Sequence, residues 1–164
     1  MRTLLIGWLL TMAVSVPAQN LTIRDVFKSM PDSLMPYLTM NNRLDFMDFM
    51  DSNMKAEVKN QIGGTSVMTA LTNDSLSIQM NDALRVDMML LNLDEPVDTI
   101  QQVIVFAETF LADSIYGESS CLYYTPDWRL INKHIPWNDI QLQRIERNLL
   151  RNILKWGEGK LNKG

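Results

Sequence analysis

Three aspartates spaced three residues apart, Asp45, Asp48 and Asp51, stand among methionines and phenylalanines in the stretch MNNRLDFMDFMDSNM, Met40 to Met54. Carboxylates at close spacing are the raw material of a calcium site. Such a site wraps its oxygen ligands around one point by a tight, glycine-containing turn, whereas this stretch has helical periodicity and no glycine. On a wheel of about 100° per residue, Leu44, Phe46, Met47, Met50, Met54 and Val58 gather on one broad face. Asp45 and Asp48 fall on the opposite flank with Ser52, and Asp51 falls at the rim, one turn before Lys55. The three carboxylates fan outward, so the spacing predicts a solvated helix face with an Asp51 to Lys55 pair, and no metal. Met47, Met50 and Met54 would offer thioethers to copper(I), but the same residues make up the apolar face and are read as core.

The other reactive types are scarce. His134 is the sole histidine and Cys121 the sole cysteine, so a multi-histidine metal centre is excluded and a Ser-His-Asp arrangement must pass through His134. Cys121 with His134 would supply a nucleophile and its base, yet Cys121 lies in an apolar, tyrosine-flanked segment that favours a buried, inert thiol. Neither a phosphate-cradling glycine loop nor a G-x-S-x-G elbow is present. No catalytic residue and no cofactor is therefore assigned. Two surfaces remain. Tyr116, Tyr123, Tyr124, Trp128 and Trp137 crowd into one region and could grip a sugar or a protein, although strand alternation sets Tyr123 and Tyr124 on opposite faces and sends one of them into the core. Arg144, Arg147, Arg151 and Lys155 form a basic stripe able to steer an anionic partner, or else a merely solvated face. The assigned binding residues are Tyr123, Tyr124, Trp128, Arg144, Arg147 and Arg151.

The elements that must position these residues follow from periodicity. A short capped helix over Thr22 to Met30, stopped by Pro31, precedes a helix opened by the quoted stretch and running to about Asn60, with Gly63-Gly64 ending it. Four extended segments, SVMTALT, SLSIQM, ALRVDMMLLNL and TIQQVIVFAETFLA, are separated by turn signals at Asn73-Asp74, Asn81-Asp82 and Asp94-Glu95-Pro96. SLSIQM alternates strictly, placing Leu76, Ile78 and Met80 on a dry face and Ser75, Ser77 and Gln79 on a wet one. A fifth strand lies within SIYGESSCLYY. The chain closes with a helix from about Asn138 to Trp156, carrying Leu142, Ile145, Leu149, Ile153 and Trp156 on one side. Turns this short demand antiparallel pairing. The predicted class is α+β: an antiparallel β-meander of about five strands with N-terminal and C-terminal helices packed on one face, forming one domain over residues 19–157.

The pairing of TMNNRLDFMDFM with FAETFLADSIYGESSCLYYTPDW resembles a family of small exported proteins of unknown function in Gram-negative bacteria of the gut and mouth. Its marks are an N-R-x-D-x-x-D helix, here Asn42, Arg43, Asp45 and Asp48, and an A-D-S…Y-x-x-D-W segment, here Ala112 to Ser114 and Tyr124 to Trp128. The resemblance spans most of the chain beyond the leader and implies no activity.

Address and charge narrow the function. Arg2, the apolar run LLIGWLLTMAV and the small residues Val16 and Ala18 read as a secretory signal peptide over residues 1–18. The run is shorter than the roughly 20 residues a bilayer span needs. No cysteine stands at the cleavage point to carry a lipid, so the expected address is periplasmic or secreted, with no integral membrane segment in the mature chain. Losing the leader removes one of 15 basic and none of 19 acidic residues, leaving five net negative charges. That balance argues against nucleic acid as a partner. With 46% hydrophobic residues the chain is built to fold, and only the tail over residues 158–164 offers nothing to bury. The resulting reading is an exported envelope protein that binds a protein or glycan partner without catalysis; the alternative is a hydrolase using carboxylate or Cys-His chemistry. The exported form should begin at Gln19, which N-terminal sequencing or intact mass decides, and a form retaining Trp8 would mean an anchored protein.

Overall fold

The computed structural model describes residues 21–112, 116–135 and 137–147. The leader, the far part of the closing helix with Arg151, and the tail lie outside these residues.

Helix α1, Ile23–Ser29, starts at Thr22, which exchanges bonds with Asp25 in a capping box. Pro31 follows its C-cap, and a 3-10 turn, Asp32–Leu34, carries the chain onward. Helix α2, Met40–Asp51, starts the same way at Thr39 with Asn42. It ends well short of Asn60. Asn53 adopts a left-handed backbone with φ 54°, and the N–H groups of Asn53 and Met54 return to the carbonyls of Met50 and Phe49. Glycine usually closes a helix this way, but the short polar asparagine tolerates the conformation too. The helix thus stops twelve residues before Gly63. Met54, expected on the buried face, is 58% exposed, and Val58 enters a strand instead.

That strand, β1 (Glu57–Lys59), is the extra member of a six-stranded sheet with β2 (Thr65–Leu71), β3 (Ser75–Gln79), β4 (Leu84–Val97), β5 (Ile100–Ala112) and β6 (Tyr116–Tyr124). The strands lie in sequence order, each antiparallel to its neighbours. The predicted turn at Asp94-Glu95-Pro96 is instead part of β4, whose ladder slips out of register between Asn92 and Val97, where a proline without an N–H does least harm. The chain reverses at Asp98-Thr99, with Asp98 at φ 55°.

The α+β class and the antiparallel meander stand, but the helices do not share a face. Ile23, Val26 and Phe27 of α1 and Phe46 and Met47 of α2 pack on Leu76, Ile78, Met80, Val86, Met88, Leu90, Ile104 and Phe106. Met89, Leu91 and Val105 point the other way, against Ile145 and Trp137. Ile145 belongs to the closing helix, α3, which begins at 139 and is described to 147. Asn138 caps it, accepting from the Gln141 N–H at 2.7 Å while its own N–H meets Gln141 Oε1 at 3.1 Å. Both faces had to be covered because Leu84 to Leu91 is buried at every position. Ser77, expected wet, is buried for the same reason. Among the described residues no helix is long and apolar enough to cross a membrane.

The far end of the chain is bound to its beginning by Trp128. Its indole Nε1 donates to the Val26 carbonyl at 2.9 Å, and its ring packs on Tyr124 and Phe106 at centroid distances of 5.5 and 6.5 Å. Replacing Trp128 by Phe keeps an aromatic ring but leaves the buried carbonyl short of a donor. The expected loss is about 1–3 kcal/mol, read as a lowered urea midpoint, and an unchanged midpoint would contradict this role.

Candidate functional site

The carboxylates of the opening stretch go separate ways. Asp45 and Asp48 are exposed on the outer side of α2. Asp51 receives both guanidinium nitrogens of Arg24, at 2.6 and 3.1 Å, and so fastens α2 to α1. Its expected partner Lys55 pairs with Glu57 instead, because the helix ends before Lys55 can complete a turn. Among the described residues no group of three or more His, Cys, Asp or Glu side chains is placed to hold a metal ion.

Arg43, in the same stretch, was overlooked. It is only 2% exposed. Its guanidinium donates to the carbonyls of Met30 at 2.8 Å and Leu38 at 3.3 Å and pairs with Asp32 at 2.8 Å, while its Nε has no partner. One signal was available: Arg43 precedes Phe46 and Met47 by three and four residues, which puts it on the apolar side of the helix.

The aromatic region divides between the two faces, as alternation requires. Tyr124 and Trp128 are buried in the main core. Tyr123 lies half-buried on the other face, tilted at 51° against Trp137 with centroids 5.5 Å apart; burial raises its hydroxyl pKa. Neither arrangement is an open, flat platform. The segment Thr125 to Arg129 is a tight turn. The Thr125 hydroxyl donates to Asp127 at 2.5 Å and accepts from the Arg129 N–H at 3.0 Å, and Trp128 takes a left-handed backbone with φ 64°. The Thr125 hydrogen bond, with Arg129 beside it, holds the Asp127 carboxyl below its ordinary range. The aspartate of the Y-x-x-D-W motif therefore shapes a turn that turns Trp128 inward.

Cys121 sits partly buried on β6. Burial, and then the charge of Asp87 across the sheet, push its thiol pKa up, the wrong direction for a nucleophile. His134 is exposed, and no hydrogen bond joins the two. Asp87 belongs to a buried pair with Arg85, whose Nε lies 2.9 Å away, and it also accepts from the Ser77 hydroxyl. Of the basic stripe, Arg144 binds Asp74 in the β2–β3 turn. Partial burial opposes ionisation of Asp74, but the hydrogen bonds from Arg144 and Thr72 outweigh it and hold the carboxyl below its usual range. Arg147 is exposed, its Nε turned back to the Gln143 carbonyl at 3.2 Å. Arg151 lies outside the described residues.

What the structure brings together is a surface. Leu122, Phe110 and Leu130 are 44%, 53% and 48% exposed. Pairing of Phe110 with Glu118, Phe106 with Leu122 and Tyr124 with Leu130 puts all three on the core-side face of the outer strands, where α1 and α2 do not reach. Glu108 and Glu118 belong to the same face and give the strip an acidic border. Beside it, an open cleft of about 290 Å³ runs between the β4–β5 turn and residues 129–133, with Asp98 and Lys133 paired across it.

The sheet and its helices are similar to a solved structure, that of a domain of an uncharacterized protein from Porphyromonas gingivalis W83. The TM-score is 0.55 at 23% identity, over 71% of this chain and 56% of that one. The likeness is one of fold, and this chain spans little more than half the length of that structure. No curated protein matches the chain significantly. Residues 13–152, including both motifs singled out in the sequence, match a family described as protein of unknown function. The chain belongs to this family, DUF3256.

Proposed function

We propose that the protein is exported to the envelope of a Gram-negative cell and there binds another protein without catalysing a reaction. The observation that carries this is the strip of Leu122, Phe110 and Leu130, each about half exposed on one sheet face. Apolar side chains grouped on a strand surface and bordered by Glu108 and Glu118 suit a partner segment with apolar residues flanked by lysine or arginine. Protein is favoured over glycan because the rings of Tyr124 and Trp128 face the core, so the strip itself offers two leucines and the Phe110 ring. Export rests on the signal-peptide pattern of Arg2, the apolar run after it, and Val16 and Ala18.

The test is affinity capture from the cell's own envelope fraction, followed by titration of the captured protein. Leu122→Glu and Phe110→Glu should each weaken binding at least about tenfold, the equivalent of 1.4 kcal/mol, with the melting temperature held. Asp45→Ala, Asp48→Ala and Arg147→Glu should bind as wild type. Binding that survives both strip variants, or capture that persists after the extract is digested with protease, would overturn the proposal.

A further inference from the structure

The two ends of the sheet are treated differently by the sequence. At one end β1 is three residues long, exposes Glu57 and Lys59, and has its Lys59 carbonyl covered by the Asn42 amide at 3.4 Å. Short length and charge are the usual protections of a sheet edge. At the other end β6, YGESSCLYY, is nine residues long with one charged residue, no lysine and no proline. Among the described residues its outer edge is occupied only at the C-terminal end, where the Thr125 N–H donates to Arg129 at 2.9 Å and the Tyr123 carbonyl accepts from Ile131 at 2.8 Å.

Those two bonds fix which way every residue of β6 presents its backbone. In an antiparallel ladder the N–H and C=O of alternate residues point to opposite neighbours. Since Tyr123 and Thr125 point outward, Cys121, Ser119 and Gly117 do as well, while Leu122, Ser120 and Glu118 bond to β5. Beyond Tyr123 no strand of the described residues meets these outward groups. The free stretch runs over residues 116–122, and Ser119 is its midpoint.

We infer that this edge pairs with the same edge of a second copy, antiparallel, about a twofold axis at Ser119. The choice of occupant rests on self-complementarity. An axis through the middle of the free stretch passes through an outward-pointing residue, so every outward residue meets another: Ser119 its own counterpart, and Gly117 the Cys121 of the second copy. These pairings supply about six backbone hydrogen bonds, two for each pair. Glu118, the one charge, lies opposite Ser120 and not opposite itself; Gly117, Ser119 and Cys121 meet only one another and are small, and at the ends of the stretch Tyr116 lies opposite Leu122. The axis stands normal to the sheet, so two six-stranded halves become one continuous sheet. The apolar strips around Leu122 then lie on the same side of it.

Sedimentation equilibrium of the purified exported protein tests this. The wild type should pass from monomer to dimer with rising concentration. Ser119→Pro removes an outward N–H that β5 does not use, a change edge strands tolerate. This variant, and Ser119→Lys with its backbone intact, should dimerise at least about tenfold more weakly; each also loses the 2.8 Å bond between the Ser119 and buried Thr109 hydroxyls, so Ser119→Ala, which loses the same bond, is the control and should dimerise as the wild type does. Oxidation of Ser119→Cys in a Cys121→Ser background should yield a covalent dimer. The wild type should not, because the two Cys121 residues sit four positions apart, about 13 Å at strand spacing and beyond the reach of a disulfide. A wild type that is monomeric at every concentration, a Ser119→Lys variant that dimerises normally, or a Cys121 cross-link in the wild type would overturn the inference. The Ser119 variants leave Leu122 and Phe110 in place, so they separate loss of self-pairing from loss of the proposed protein partner.

Discussion

A single buried guanidinium holds the N-terminal layer of this protein together. Arg43, 2% exposed, reaches the Met30 carbonyl at the end of α1, the Leu38 carbonyl just before α2, and the carboxylate of Asp32 between them. The segment from Pro31 to Thr39 contains two prolines and only a 3-10 turn, so it offers few backbone bonds of its own. Arg43 supplies what that segment lacks. A cation taken from water must be well bonded to be tolerated, and here two carbonyls and a carboxylate surround it even though its Nε goes without a partner. The Arg24–Asp51 pair repeats the fastening on the solvent side of the same two helices. With α1 and α2 fixed to one another, their apolar faces act on the sheet as one slab.

Where that slab ends explains the rest of the surface. α2 packs on β1 and β2 and α1 reaches β4, while among the described residues Trp128 and its turn are what covers that face of β5 and β6 near Phe106. Phe110 and Leu122 are left outside. On the opposite face α3 rests on Met89, Leu91 and Val105 through Ile145, and Arg144 ties it to Asp74 in the β2–β3 turn. The sheet is therefore enclosed over β3 and β4 and open toward β6. Among the described residues, exposed apolar groups and unpaired strand backbone coincide on that side.

Much of this was legible in the sequence. The alternation of SLSIQM correctly placed Leu76, Ile78 and Met80 in the core, the short turn signals dictated an antiparallel meander, and helices do start after Thr22, at Met40 and just after Asn138. What was not legible depended on neighbours distant in sequence. Ser77 follows the wet half of the alternation, but β4 is buried on both faces, so its partner strand β3 is enclosed with it. Asn53 ends α2 where a glycine would have been the plainer signal. Arg43 carries a charge that ordinarily marks a solvated position, and only its spacing to Phe46 and Met47 says otherwise. The free edge of β6 could not be read at all, since which strand lies outermost is a property of strand order and of how far the chain returns after Trp128.

Native-state hydrogen exchange on Arg43→Met tests the organising role of the guanidinium most directly. Methionine fills much of the volume with apolar atoms, so what is lost is the set of bonds to Met30, Leu38 and Asp32. Two buried carbonyls left without their donor should cost about 1–3 kcal/mol each. The loss should be local: amides of α1 and α2 should exchange faster by one to several powers of ten, about tenfold for each 1.4 kcal/mol, while those at the centres of β4 and β5 remain the slowest in the molecule. Protection in α1 and α2 equal to that of the wild type, or a loss spread evenly across helices and sheet, would contradict the claim that Arg43 holds this layer in place.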